Sequence, residues 1–151
     1  MPYLLSECRA RLQKAVGEYR VARNALDRLK SQAAADASTV HSSLSEHLLQ
    51  ADFNLEGTYL IRVFAVFDAI LRSYDRYRFN DPDRRTRVAT MIDQLGSLLK
   101  VPEPIRTGVH RARLVRHYWA HELEENPGPM TLDSIRGYLQ TYLDRFPKTW
   151  T

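Results

Sequence analysis

The chain has 151 residues, 44% hydrophobic and 26% charged, with a single cysteine. That is enough apolar material for one self-sufficient core, so disordered and fibrous classes are excluded; Cys8 alone excludes an internal disulfide and a four-cysteine zinc site. The net charge is +4 with an isoelectric point of about 9.4, carried almost wholly by arginine, whose planar guanidinium suits bidentate contact with phosphate and inclines the domain to nucleic acid.

Met1–Glu7 lacks the basic start and long apolar run of a secretory signal. The run from Ile61 to Leu71 is interrupted by Arg62 and Asp68 and followed by Arg72, too short and too charged to span a bilayer. With a lone thiol, these features point to a single domain over 1–151 in the cytoplasm, with no membrane partner.

Apolar residues at three- and four-residue steps predict a first helix over Tyr3–Gln32, through Leu5, Leu12, Val16, Tyr19, Leu26 and Leu29. Ala33–Ser38 reads as a turn. A second, long helix is expected over Val40–Arg78, with Gly57 marking a bend or break. Its stripe includes Leu60, Val63, Phe64, Phe67, Ile70, Leu71 and Tyr74, and Ile61, Ala65, Val66 and Ala69 extend it almost all round. A helix apolar on every side is buried on every side, so its second face is expected to meet another subunit.

Asn80-Asp81-Pro82-Asp83 stops that helix and starts a third, with Asp81 as cap and Pro82 in the first turn, running to Lys100. Pro102 and Pro104 end it. A fourth helix is predicted over Ile105–Glu124, terminated by Asn126-Pro127-Gly128-Pro129. Thr131 caps a fifth, whose stripe of Leu132, Ile135, Leu139, Tyr142, Leu143 and Phe146 is closed by Pro147. No strand pattern or repeat competes. The fold class is all-α, an antiparallel bundle of four to five helices.

The fourth helix holds the candidate chemistry. Its non-core side carries Arg106, His110, Arg111, Arg113, Arg116, His117 and His121, three of the chain's five histidines among them. Imidazole suits proton transfer near neutral pH, and guanidinium holds phosphate and stabilises charge developing on it. Arg116 and His121 lie about 140° apart round a helix and about 7.5 Å along it, so they share a flank and can converge on one phosphate group.

The segment Val115-Arg116-His117-Tyr118-Trp119-Ala120-His121-Glu122 resembles the signature of the HEPN family (higher eukaryotes and prokaryotes nucleotide-binding): an Arg, a polar residue, a few positions, then a His. The alternative pair, Arg111 and His117, is followed by Ala112 where a polar residue is expected. Phe67-Asp68-Ala69-Ile70-Leu71 is similar to the family's apolar second helix with its acidic residue, Asp standing where many members have Glu. The likeness covers most of the chain from Leu44 onward.

That resemblance implies a HEPN-like bundle acting as a metal-independent endoribonuclease, a hydrolase-class nuclease with no cofactor, which cleaves RNA by attack of the 2′-hydroxyl. It implies His121 as acid or base, Arg116 as phosphate clamp and His117 as orienting or second proton-transfer group, with Asp68 in support. Arg106, His110, Arg111 and Arg113 would add RNA contacts. Two copies are expected to form a homodimer with a composite site, in a toxin or phage-defence role beside an antitoxin protein.

Other readings stand beside this one. The domain can be a catalytically silent module that binds nucleotide or a partner protein. The Arg and His run can be a solvated basic face, and Asp68 can simply pair with Arg72 one turn on. His117 and His121 have the spacing of two metal ligands on one helix face. A third ligand is missing nearby, with His110, His41 and His47 available only through folding, so no metal site is expected.

Overall fold

A computed structural model describes residues 3–36, 42–121 and 126–150. Among them are five α-helices: α1 (Leu5–Ala35), α2 (Ser42–Phe79), α3 (Val88–Leu98), α4 (Glu103–His121) and α5 (Leu132–Leu143). A two-residue antiparallel pairing, β1 (Tyr3–Leu4) with β2 (Thr149–Trp150), ties the two ends together. The all-α bundle expected from the periodicity is present. Residues 37–41 and 122–125 lie outside the described residues, and with them His41, the predicted start at Val40 and the predicted end at Glu124.

Cross-helix partners give the directions. Arg62 and Glu18 meet at 2.6 Å, and Lys30 reaches Asp52 at 2.6 Å, so α1 and α2 run antiparallel. Arg9 pairs with Asp144 and Arg20 with Asp133, which sets α5 antiparallel to α1. His110 meets Asp93, and Arg106 meets Ser97, so α3 and α4 are antiparallel as well.

The core lies where α2 crosses α3, α4 and α5. Phe67, Leu71, Met91, Ile92, Leu95, Val109, Ala112, Ile135, Leu139 and Tyr142 are fully enclosed, all of them positions of the apolar helix pattern. Phe67 and Tyr142 meet edge to face at 5.5 Å, and the Tyr142 hydroxyl donates to the Ile92 carbonyl at 2.8 Å. A buried phenol with that bond satisfies its one polar atom while contributing a large apolar ring.

Ala33–Ala35, read as the start of a turn, belong to α1, and three further features differ from the sequence reading. First, α2 continues unbroken through Gly57, so that glycine is not a break. A Cβ there would stand 2.3 Å from the Trp119 ring, so position 57 is a notch that lets the indole of α4 lie on the backbone of α2.

Second, α3 begins at Val88 rather than at Asp81. Asp81 accepts from the Asp83 N–H at 3.1 Å and closes a turn, not a helix. The residues that follow are drawn away by Asp75, a carboxylate only 1% exposed. Its Oδ2 accepts from Arg84 Nε at 2.8 Å and from the Thr86 hydroxyl at 2.9 Å. A buried carboxylate left alone is costly, and this loop supplies its partners.

Third, Pro104 lies inside the first turn of α4 instead of ending α3, a position where the missing N–H costs nothing. The end of α3 is made by Lys100 in the left-handed region (φ 54°), with Val101 N–H donating to Gly96 O at 2.8 Å and Lys100 N–H to Ser97 O at 3.2 Å. Asn80 (φ 50°) closes α2 in the same way.

At the other end of the bundle, α1 and α2 outrun their neighbours. No α1 residue beyond Val16 is buried; this two-helix arm combines partial apolar contact, such as Tyr19 with Tyr59, with charge pairs. Asp52 takes Lys30 and Arg23 together. Those hydrogen bonds, Lys30 first and Arg23 second, hold its carboxyl below the usual carboxylate range.

Gly57→Ala gains helix propensity but drives a methyl against the Trp119 ring, so it is expected to destabilise the fold by about 1–3 kcal/mol; an unchanged denaturation midpoint would contradict the notch. For Asp52, the folded carboxyl is depressed, so its contribution is complete above about pH 4 and is lost as pH falls through the folded value. The melting temperatures of wild type and Asp52→Asn should differ at pH 7, and the difference should shrink as the pH is lowered into the acid range; a gap that does not shrink would refute this linkage.

Candidate functional site

Gly108, Val109, Ala112 and Val115 form the buried face of α4. Three close approaches fix its position. Trp119 lies on Gly57 of α2, Tyr138 of α5 lies on Gly108, and Arg106 lies over Gly96 of α3. Each pair works because a missing Cβ makes room for a large side chain. With that face committed, the basic residues turn towards the α2–α3 side or to solvent.

Arg113, Arg116 and His117 line a cavity of about 300 Å³ whose opposite wall is Phe64, Asp68 and Arg72 of α2, with Val88 at the end of α3. The structure thus brings together three residues of the α4 run and Asp68. Asp68 Oδ1 is 3.0 Å from Arg72 Nε, an ion pair whose geometry falls short of a good hydrogen bond. Arg72 also donates to the Thr86 carbonyl at 3.2 Å, which joins the cavity wall to the Asp75 loop. The sequence reading treated Arg72 only as a partner for Asp68; its second bond depends on where the loop lands.

Arg113 and Arg116 combine two properties that no other described arginine combines. Among the described residues neither has an ion pair or hydrogen bond, and the Nε atom of each is enclosed without an acceptor. Enclosed donors are nearly always satisfied in folded proteins, and here two that are not lie on one cavity wall.

The two imidazoles follow. The rings of His117 and His121 meet edge to face, 4.5 Å between centroids. His117 reaches the cavity; His121 is exposed one turn on, outside its lining. Among the described residues, no third histidine, cysteine or carboxylate joins the pair as a metal ligand.

The remaining basic residues are placed elsewhere. Arg106 donates to the Ser97 hydroxyl at 3.1 Å, His110 Nε2 is 2.8 Å from Asp93 Oδ1, and Arg111 donates to the Pro129 carbonyl at 3.3 Å. They clamp α4 to α3 and to the 126–130 loop and are not gathered with Arg116. A single helical stripe hid this, because it does not show which neighbour each position faces.

No protein family, curated protein or solved structure matches this chain.

The Asp75 network positions the cavity's far wall through Arg72 and Thr86. Arg84→Ala removes the main partner of a buried carboxylate and is expected to cost about 3 kcal/mol of stability, measured by urea unfolding. A loss below about 0.5 kcal/mol, the range of a surface change, would show that Asp75 does not depend on it.

Proposed function

We propose that the chain is a metal-independent endoribonuclease of the HEPN type. The observation that carries this reading is the pairing, on one cavity wall, of two guanidiniums without a counter-ion and an imidazole that contacts a second imidazole. Cleavage of a phosphodiester by its own 2′-hydroxyl asks for three things: a base for the hydroxyl proton, positive charge beside the phosphoryl oxygens, and an acid for the departing 5′-oxygen. Here Arg116 and Arg113 supply the charge, and His121 and His117 handle the protons. A new bond forms between O2′ and phosphorus as the bond from phosphorus to O5′ breaks, leaving a 2′,3′-cyclic phosphate and a 5′-hydroxyl. The nucleophile belongs to the substrate, so DNA is inert.

The working unit in this proposal is a homodimer. His121 stands at the edge of its own cavity, and a two-fold partner would bring a second Arg and His pair to the same phosphate. Uncovered apolar positions near the motif support this: Ala65 and Ala69 on α2 and Leu114 on α4. The family likeness adds a toxin or phage-defence role with an antitoxin protein as companion.

Arg116→Ala and His121→Ala are each expected to reduce RNA cleavage at least about a hundredfold with the helical circular dichroism signal unchanged, and His117→Ala by less. Cleavage should survive excess chelator, and one 2′-deoxy substitution at the cut should block it while binding persists. Full activity in both principal variants would remove these residues from the mechanism. Activity restored only by a divalent ion would replace it with metal chemistry. Tight capture of a companion protein with no cleavage of any RNA would leave a silent binding module.

A further inference from the structure

Beside the basic cavity lies a second, larger cleft of about 420 Å³ between α2 and α4. Its walls are Phe53, Ile61, Tyr118 and Trp119, with Gln50 and Asn54 along one side. Phe53 is 67% exposed, an aromatic ring left outside the core. It meets the Trp119 ring at 5.5 Å with the planes tilted by 57°. Gln50 and Asn54 stand one helical turn apart, and among the described residues neither side-chain amide has a hydrogen-bond partner.

Both lie along the seam between α2 and α4: Trp119 is one turn beyond Arg116 on α4, and Ile61 lies one turn before Phe64 and Ala65 on α2. One turn is about 5.4 Å, within the reach of a single nucleotide from its phosphate to its base. Aromatic rings beside free donors and acceptors, one nucleotide away from unpaired guanidiniums, is the arrangement by which proteins hold a splayed-out base of single-stranded RNA.

We propose that this cleft is a nucleobase site: the base next to the phosphate held by Arg113 and Arg116 stacks on Phe53 and Trp119, and the amides of Gln50 and Asn54 meet its edge. The proposal deepens the ribonuclease reading and rests on it for the position of the phosphate. Primary amides offer a donor and an acceptor side by side, the complement of the adenine edge, so adenine is the base with which to test it. The same groups make single-stranded RNA the preferred substrate, because a paired and stacked base cannot enter.

The test uses the full chain and a 2′-O-methyl oligoadenylate, which cannot be cut, against an abasic backbone of equal length and charge. The oligoadenylate is expected to bind more tightly and to quench tryptophan fluorescence, and Trp119→Phe should remove the quenching while Trp150, which is buried, remains. Phe53→Ala, at an exposed position, should weaken oligoadenylate binding by about five- to a hundredfold and leave abasic binding unchanged. Equal binding of the two oligomers, without quenching, overturns the proposal. So does a Phe53→Ala variant that binds RNA as wild type but loses self-association, because the cleft would then be covered by protein. Cutting of unmodified RNA is scored separately. Base-dependent binding without cutting refutes the nuclease and keeps the base site, whereas cutting that is indifferent to Phe53→Ala and to the missing base keeps the nuclease and refutes the base site.

Discussion

The indole of Trp119 occupies the space that any side chain at position 57 would need, and the seam between α2 and α4 follows from that overlap. A helix as basic as α4 has little apolar surface with which to hold itself in a bundle. It compensates by proximity: at Gly57, Gly96 and Gly108 a ring or a long aliphatic stem rests on bare backbone. Close approach multiplies weak dispersion contacts, and it also sets the rotation of α4 about its axis. Arg113, Arg116 and His117 face α2 because Val109, Ala112, Val115 and Trp119 have no other place to go.

Half of the fourteen arginines outside α4 are engaged with carboxylates: Arg9, Arg20, Arg23, Arg62, Arg72, Arg84 and Arg136 each have an acidic partner. The Nε atoms of Arg9, Arg106 and Arg136 are enclosed too, yet each of those guanidiniums reaches a partner. Arg113 and Arg116 have none among the described residues, although Asp68 lines the same cavity. That carboxylate is instead held by Arg72 from its own helix. The result is a wall where positive charge is partly desolvated and uncompensated, a cost that a bound anion relieves.

The helices were legible in the sequence because each has an apolar stripe with the right period and a physical stop. Thr131 caps α5, accepting from the Ser134 N–H at 3.2 Å, as the Thr followed by Asp and Ser foretold. Glu56 of α2 adds a second acceptor for that helix end, at 2.8 Å from Leu132 N, and no local pattern announces it. The start of α3 was misread because Asp81-Pro82 carries a local helix signal that a distant buried carboxylate, Asp75, outweighs by claiming Arg84 and Thr86. The C-terminal pairing escaped notice for a related reason: two residues are too few for a period. Trp150 is nevertheless buried, with its ring against Tyr74 and its indole N–H on Ser73.

By itself, the sequence determined the class of fold, the order of the helices and the concentration of arginine and histidine on α4, since periodicity and composition are local properties written along the chain. Only the tertiary structure decided which of those residues share a cavity. Arg113 joins Arg116 and His117 while Arg106, His110 and Arg111 are drawn to α3 and the 126–130 loop, because a helix wheel gives each side chain a direction but not the neighbour it meets. The role of Gly57 was settled in the same way. In the sequence it is a weak point of a long helix; in the fold it is where Trp119, sixty-two positions away, fits against the backbone, and contacts between residues so far apart are invisible to any local pattern.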